Sequence, residues 1–432
     1  MNEHSNQIDR AGLPRRVLLL LTARTYRAYA FISAAKQLNI DIIQAIDMEP
    51  QLAEYWNYPL GLQYDDPDSC VETIVKFADS QPLGAILAVD DNGVRVAAQA
   101  SQALGLPHNP PMAAEASRNK YRMRQLLSQA DVLSPDATLY HFSHPNSDHK
   151  LSALAKKLKY PCIIKPTSLN GSRGVIRVNQ PKEFITAATR LRGFLATLYP
   201  DFKQIPYLVE SYIPGREVAV EGIMVGGQLR ILALFDKPDP LEGPYFEETL
   251  YITPSRLSLD TQSAIYESTA KAASAIGLQE GPVHAELRVN DDGPWIIEIA
   301  GRSIGGLCAA TLKFGIDTSL EELILRQAFG MDISSFKRES NASGVMMIPI
   351  PEAGLLKEVQ GCEEAEELPL IEKVEITAKL NNLLTPLPEG DSYLGFIFAR
   401  GPSPALVEDA LRKAHAKLRF KIAPELPLLK NH

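Results

Sequence analysis

The segment RVLLLLT at residues 16–22 holds five apolar residues in a row, Val17 to Leu21. A short run without alternation predicts a strand covered on both faces. A helix is predicted next over YRAYAFISAAKQLNI, followed by a second strand, DIIQAID. The same β-α-β order recurs beyond residue 71, where a helix leads into GAILAVDD and another runs from Gly93 to Leu104. Strands alternating with amphipathic helices predict an open parallel sheet, an N-terminal α/β domain over residues 1–112. The segment HNPPMA breaks this pattern with two prolines and reads as a linker.

Over residues 113–340 the pattern changes. Helices carrying NKYRMRQLLSQA and LSALAKKL accompany short strands: YPCIIKP, GVIRV, YLVESYI, EVAVEGIMV, QLRILALF, VHAELRV and WIIEIAG. Turns such as Gly226-Gly227 predict antiparallel hairpins. Residues 341–432 are predicted as a third, small α+β unit, with strands GVMMIPI, VEITAKL and YLGFIFARG before the helix SPALVEDALRKAHAKL. The expected class is therefore α/β and α+β multidomain.

Composition narrows the function. A chain of 432 residues with 45% hydrophobic and 22% charged residues has the balance of a soluble globular protein of two or three units. A formal net charge of −8 argues against a general nucleic-acid partner, and anionic substrates would need local Lys and Arg. Four scattered cysteines without a CxxC pair point away from a disulfide framework or zinc ribbon. The polar N-terminus, MNEHSNQIDR, shows no signal-peptide pattern, and the early apolar run is too short to span a bilayer. A cytoplasmic protein without a membrane partner is expected.

The chemistry concentrates in VHAELRVNDDGPWIIEIAGR, residues 283–302. A turn at Asp291-Asp292-Gly293 pairs Asn290 with Pro294, Arg288 with Ile296 and Glu286 with Glu298. Alternation then places Val283, Ala285, Leu287, Val289, Trp295, Ile297 and Ile299 on one face, and His284, Glu286, Arg288, Glu298 and Arg302 on the other. Two carboxylates opposed across a strand pair repel, so a cation between them is expected. Mg²⁺ suits such hard oxygen ligands and leaves sites for water and phosphates. The alternative is a solvated face on which Arg288 neutralises one glutamate.

Lys165 ends the strand YPCIIKP, and TSLNGSRGV follows, with Gly171 and Gly174 flanking Ser172 and Arg173. Such a loop can turn backbone N–H groups toward phosphate oxygens, although the GxxxxGK[ST] spacing is missing. Lys120 lies in a helical stretch and, taken alone, reads as a surface lysine. In YLVESYIPGREVAVEG, the run Glu210-Ser211-Tyr212-Ile213 precedes a Pro-Gly turn and Glu217. Backbone groups there suit an adenine edge, and the later carboxylate suits ribose hydroxyls.

In this order the motifs resemble the ATP-grasp superfamily across the whole chain, most specifically from Lys120 to Arg302. The resemblance implies an ATP-grasp fold and makes Lys120 and Lys165 phosphate ligands. Asn170, Gly171, Ser172 and Gly174 fall in the loop over the triphosphate, Glu210 to Ile213 in the adenine hinge, and Glu217 at the ribose. It implies Glu286 and Glu298 as Mg²⁺ ligands, with Mn²⁺ able to substitute, and Arg302 as the arginine steadying an acyl phosphate. Where the family reads E-x-N-x-R, this chain has Glu298-Ile299-Ala300-Gly301-Arg302, which puts a second metal ion in doubt. The stretch LRILALFDKPDPLEGPYFEE and the ending AKLNNLLTPLPEGDSYLGFIFARG are similar to L-amino-acid ligases that make dipeptides.

The expected activity is ATP-dependent amide formation between small-molecule carboxylate and amine substrates, with a tendency toward homodimers. Lys237 to Glu248 is expected near the substrate, offering both charges for an amino acid's two ends, with His284 as a further contact or a structural histidine. His141, His144 and His149 read as solvated loop residues rather than a metal cluster. Two alternatives stay open at this point. One is a carboxylating or purine-pathway ligase using bicarbonate or formate, the other a non-catalytic ATP-binding module.

Overall fold

The computed structural model describes residues 12, 14–23, 25–143, 148–199 and 204–424. Its first part comprises β1 (Arg16–Leu21), α1 (Ala28–Gln37), β2 (Asp41–Asp47), α2 (Pro50–Tyr55), β3 (Leu60–Leu62), α3 (Pro67–Ser80), β4 (Ala85–Ala88) and α4 (Val94–Ala103). The four strands form a parallel sheet in the order β3-β2-β1-β4. Central β1 shows why its sequence does not alternate. Val17, Leu19 and Leu21 pack with Phe31 and Ala34 of α1, whereas Leu18 and Leu20 face Ile74 of α3 and Val96 of α4. Both faces are buried, so both parities must be apolar. The proline-rich linker is shorter than expected, because Pro111 opens a helix, α5 (Pro111–Arg118). Proline at the first helical position loses no hydrogen bond.

Next come α6 (Lys120–Gln129), β5 (Ala137–Ser143), α7 (Asp148–Ala155), β6 (Cys162–Pro166), β7 (Ile176–Val178), α8 (Pro181–Leu198) and β8 (Gln204–Ser211). The four strands pair antiparallel in the order β5-β8-β6-β7. With α7 and α8 they enclose a separate apolar core, in which the Phe142 and Tyr207 rings stack at 3.9 Å. His141 is exposed on β5, His144 lies outside the described residues, and His149 falls in α7 with its side chain likewise outside them.

The chain continues through β9 (Arg216–Val225), β10 (Gln228–Asp236), β11 (Leu250–Thr253), α9 (Leu259–Ile276), β12 (Gly281–Asn290), β13 (Gly293–Ala300) and α10 (Leu320–Ala328). Then follow β14 (Ala342–Ile348), β15 (Gly354–Gln360), α11 (Cys362–Glu366), β16 (Ile371–Ile376), β17 (Leu383–Leu384), β18 (Gly395–Gly401), α12 (Pro404–His415) and β19 (Arg419–Ala423). One eight-stranded antiparallel sheet runs β13-β12-β9-β10-β11-β14-β18-β16, and a small sheet runs β17-β15-β19. The pattern change near residue 340 therefore falls inside one continuous sheet, joined where Leu250 to Thr253 pair with Met346 to Ser343. Residues of β9, β10, β14 and α10 also share a core with β1 and α1, which seats the parallel sheet against the large one.

Among the described residues no helix is long and apolar enough to cross a membrane. All four cysteines are free.

Candidate functional site

The β12–β13 hairpin brings Glu286 opposite Glu298, but not by the register expected from the turn. Only Asp291 and Asp292 form the loop, so Asn290 pairs with Gly293, Arg288 with Trp295 and Leu287 with Ile296. Ile297 is left without a partner, a one-residue bulge that restores the Glu286–Glu298 pairing. The bulge also moves side chains between faces. Ile296 enters the core in place of Ile297, which lines a cavity beside Glu298.

That cavity, of about 660 Å³, runs between the parallel sheet, the β5–β8 layer and the large sheet. Lys120, Lys165, Asn170, Gly171, Ser172, Glu210, Ser211, Tyr212, Ile213, Glu217, Glu248, His284, Glu286, Glu298 and Arg302 all line it. Of the residues singled out in the sequence, Gly174 and Lys237 do not.

Lys120 is buried rather than solvated. Asn119 caps α6 through the amides of Tyr121 and Arg122, placing Lys120 at the helix start. Its Nζ donates to the Leu169 carbonyl at 2.8 Å and lies 3.3 Å from Glu298. Lys165 Nζ lies 2.6 Å from Glu210, which Arg124 holds from the other side at 3.0 Å. Burial pushes Lys165 down to about 8, against the pull of Glu210 and with Arg124 and Lys120 adding to the shift. Burial alone would raise Glu210, yet Arg124 and Lys165 hold its carboxyl below the usual range. The Glu210 side chain is thus committed to the protein. In the same stretch the Ser211 and Tyr212 amides donate to Asp136 and Pro161 carbonyls, leaving the Ile213 amide without a protein acceptor among the described residues. The Tyr212 ring is flanked by Arg177 and Arg288 guanidiniums at 4.0 and 5.2 Å.

The glycine-rich loop takes left-handed backbone at Gly171, Ser172 and Gly174, with φ of 59°, 57° and 70°. Gly174 fixes the loop's base. A Cβ there would lie 2.8 Å from Leu191 Cδ1, and its amide donates to the Pro388 carbonyl at 2.7 Å. Asn170 Nδ2 donates to Asp91 Oδ2 at 2.7 Å, and the same oxygen accepts from Arg302 Nε at 2.6 Å. Asp91, just beyond β4, therefore ties the loop to Arg302. Burial would raise its carboxyl, but Arg302, Lys120 and Arg118 hold it below the usual range. Asp91 is a site residue that no local motif singles out, although an acid at the C-terminal edge of a parallel sheet stands where such sheets bind ligands.

Lys237 lies beneath three carboxylates, 2.6 Å from Glu217, 2.5 Å from Glu248 and 3.7 Å from Glu286. It acts as an internal counter-ion, not as a group presented to the cavity. Arg288 joins Glu217 at 2.9 Å and does not neutralise Glu286. His284 sits between Glu221 at 3.0 Å and Glu286 at 3.4 Å. Burial would lower its ring, but the hydrogen bonds to these carboxylates raise it to about 9. Glu221 in turn accepts from the Ile304 amide at 3.1 Å, so the histidine is anchored from behind.

Two carboxylate groups compete as cation sites. Glu217, Glu248 and Glu286 lie within 4.8 Å of one another, but the Lys237 ammonium already occupies their midst. Glu286 and Glu298 differ in contact length. Their cationic neighbours stand 3.3 to 3.7 Å away, longer than the ~2.7–2.9 Å of a charge-assisted hydrogen bond. Their oxygen lone pairs remain available to a hard divalent ion, so this pair fits Mg²⁺. Ala300, lining the same cavity, offers no further ligand.

Comparison with known proteins bears on this site. A family model for an ATP-grasp domain matches residues 158–311, one for an ATP-grasp N-terminal domain residues 32–108, and one for L-amino acid ligase C-terminal domain 2 residues 346–423. Alanine–anticapsin ligase of Bacillus amyloliquefaciens is 26% identical over 374 residues, covering 77% of this chain and 74% of that protein. Dapdiamide A synthase of Enterobacter agglomerans is 28% identical over 246 residues, 55% of each. The crystal structure of L-amino acid ligase from Bacillus licheniformis superimposes with a TM-score of 0.76 at 24% identity, covering 94% of this chain and 99% of that one.

Proposed function

Because the chain belongs to the ATP-grasp superfamily of ATP-dependent ligases, close to the L-amino-acid ligases, we propose that it joins the carboxylate of one amino acid to the amine of another through an acyl phosphate. The observation that carries this reading is the Glu286–Glu298 pair, opposed across one hairpin with loosely held oxygens, in the same cavity as Lys120, Lys165 and the glycine-rich loop.

ATP binds with its adenine edge at the Ile213 amide and its phosphates toward Lys120, Lys165 and the loop at residues 170–174. Glu217 faces the ribose, held in place by Lys237 and Arg288. Glu286 and Glu298 would hold Mg²⁺, which when bound supplies positive charge shared between the phosphates. The substrate carboxylate oxygen takes the γ-phosphoryl group as the bond to the β-phosphate oxygen breaks, leaving ADP. Lys120, Lys165 and Arg302 offset the negative charge that accumulates in this step, and positioning supplies much of the remaining rate. The amine lone pair then attacks the acyl carbon. The carbon–oxygen bond to phosphate breaks, the nitrogen loses a proton, and amide and phosphate result. Loop closure, fastened through Asn170 to Asp91, keeps water from the acyl phosphate. Such a reaction belongs in the cytoplasm, where ATP is supplied.

The test is mass spectrometry of products after incubation with ATP, Mg²⁺ and pooled amino acids. Dipeptide masses with stoichiometric ADP are expected. ADP release stimulated by bicarbonate and not by amino acids would favour a carboxylating ligase instead.

A further inference from the structure

We infer that Arg27 receives the non-reacting carboxylate of the amino acid that supplies the amine, and so selects that nucleophile over a simple amine. The inference rests on the ligase reading above and adds a residue and a recognition rule to it.

Among the described residues six Lys and Arg side chains are buried: Arg27, Lys120, Arg124, Lys165, Lys237 and Arg288. Five of them have a carboxylate within 4 Å. Arg27, only 4% exposed, has none. Glu321 is near enough to feel its charge but stands outside ion-pair distance. A buried cation without a counter-ion costs several kcal/mol unless something compensates it. The guanidinium is instead held by neutral groups: one terminal nitrogen donates to the Val89 carbonyl at 2.6 Å, the other to Ser303 Oγ, and Nε has no partner. These bonds fix its position without cancelling its charge.

Arg27 lines the same cavity as the facing glutamates. Its two anchors adjoin the reaction machinery, since Ser303 follows Arg302 and Val89 stands two residues before Asp91. Arg302 is the guanidinium whose charge Glu286 and Glu298 feel, so the reacting carboxylate has its own cation. Arg27 is left for a second carboxylate that does not react. An α-amino acid carries its amine two bonds from its carboxyl carbon, and both guanidiniums line the one cavity. The helix that begins at the next residue adds to the field. α1 starts with no side-chain cap and no acid in its own first turn, although the Asp90 carboxylate, held by Thr22 and Thr25, stands near its start.

The experiment compares, in the wild-type enzyme, each amino acid that serves as nucleophile with its primary amide and with its decarboxylated amine. Product is measured by mass spectrometry at saturating ATP, Mg²⁺ and acid partner. The analogues without a carboxylate should lose roughly tenfold to a hundredfold in kcat/KM, the range of a hydrogen-bonded charge. Arg27→Gln should lower the amino acid to the level of its amide while leaving the KM for ATP unchanged, and Arg27→Lys should keep part of the preference. Equal use of amide and acid by the wild-type enzyme overturns the inference, without any variant having to fold. So does an undiminished preference in Arg27→Gln. Absence of amino-acid-dependent ADP release overturns the ligase reading itself and the inference with it.

Discussion

Asp91→Asn tests whether one buried carboxylate couples the phosphate loop to Arg302. Asp91 Oδ2 accepts from Arg302 Nε at 2.6 Å and from Asn170 Nδ2 at 2.7 Å. Asparagine keeps the shape and a carbonyl acceptor but removes the charge. A hydrogen bond to a charged group is worth about 1.5–3 kcal/mol and a neutral one about 0.5–1.5, so the change costs about 1–2 kcal/mol. If that loss falls on the orientation of Arg302 in the phosphoryl-transfer step, kcat drops roughly five- to thirtyfold. The fold should persist, because Arg302 lines the cavity and still feels the charges of Glu298 and Glu286 once its partner is neutral. A second consequence is specific to the loop. With Asn170 held less firmly, water reaches the acyl phosphate, and ADP should form in excess over amide. The assay pairs enzyme-coupled ADP detection with product mass spectrometry, and a thermal melt monitors folding. Wild-type kcat together with one ADP per amide would refute the reasoning.

Other outcomes follow from the same geometry. Glu298→Gln should lower kcat by roughly a hundredfold or more, as expected on removing a group that organises transition-state charge, with the fold retained but a lowered melting temperature, because buried Lys120 loses its ion-pair partner; near-normal turnover rules out its metal role. Lys165, held down at about 8, carries its ammonium below that pH and loses it above, so kcat/KM for ATP should fall as pH rises through 8. The matching limb in kcat should lie higher, because bound phosphates favour the ammonium; a flat kcat/KM profile to pH 9.5 (about 1.5 units on) would contradict this. Gly174→Ala meets Leu191 and Pro166 at 2.8 and 3.0 Å in left-handed backbone, so it should cost about 1–3 kcal/mol in urea denaturation, whereas Gly171→Ala, with open space around it, should cost only about 1–2.

The parts of this molecule that were legible in the sequence are those where local pattern and tertiary burial agree. β1 appears where its unbroken apolar run placed it and β2 where the segment DIIQAID did, and the Gly226-Gly227 turn has positive φ at both residues, 55° and 80°. The facing glutamates were legible for a weaker reason. The expected pairing was one residue out near the turn, and the bulge at Ile297 cancelled the error before Glu298. Period-2 arguments fail at bulges because nothing in the local composition of WIIEI marks which isoleucine is extra. Lys120 shows another limit. A lysine on a polar helix reads as solvated until the fold brings Glu298 to it across the chain. Asp91 and Arg27 were missed for the same reason, since their partners lie 211 and 276 residues away.

Lys237 is the residue where reading and geometry diverge most, and a double-mutant cycle decides between them. The sequence offers Lys237 and Glu248 as opposite charges for the two ends of an amino acid. In the structure those charges satisfy each other at 2.5 Å, with Glu217 at 2.6 Å, and the ammonium does not reach the cavity. If Lys237 is an internal counter-ion, Lys237→Met leaves Glu217 and the partly buried Glu248 and Glu286 in mutual repulsion and should destabilise the protein by about 3–5 kcal/mol. Glu217→Gln in the same chain removes one of those charges, so the double variant should recover about 1–3 kcal/mol relative to the sum of the singles. Urea denaturation of the four proteins measures the coupling. A substrate contact predicts the opposite pattern: unchanged stability in Lys237→Met, additive effects with Glu217→Gln, and a raised KM for one amino acid alone. That pattern would return Lys237 to the substrate and remove the argument that Glu286 and Glu298, rather than the triad around Lys237, are the pair left open to a metal ion.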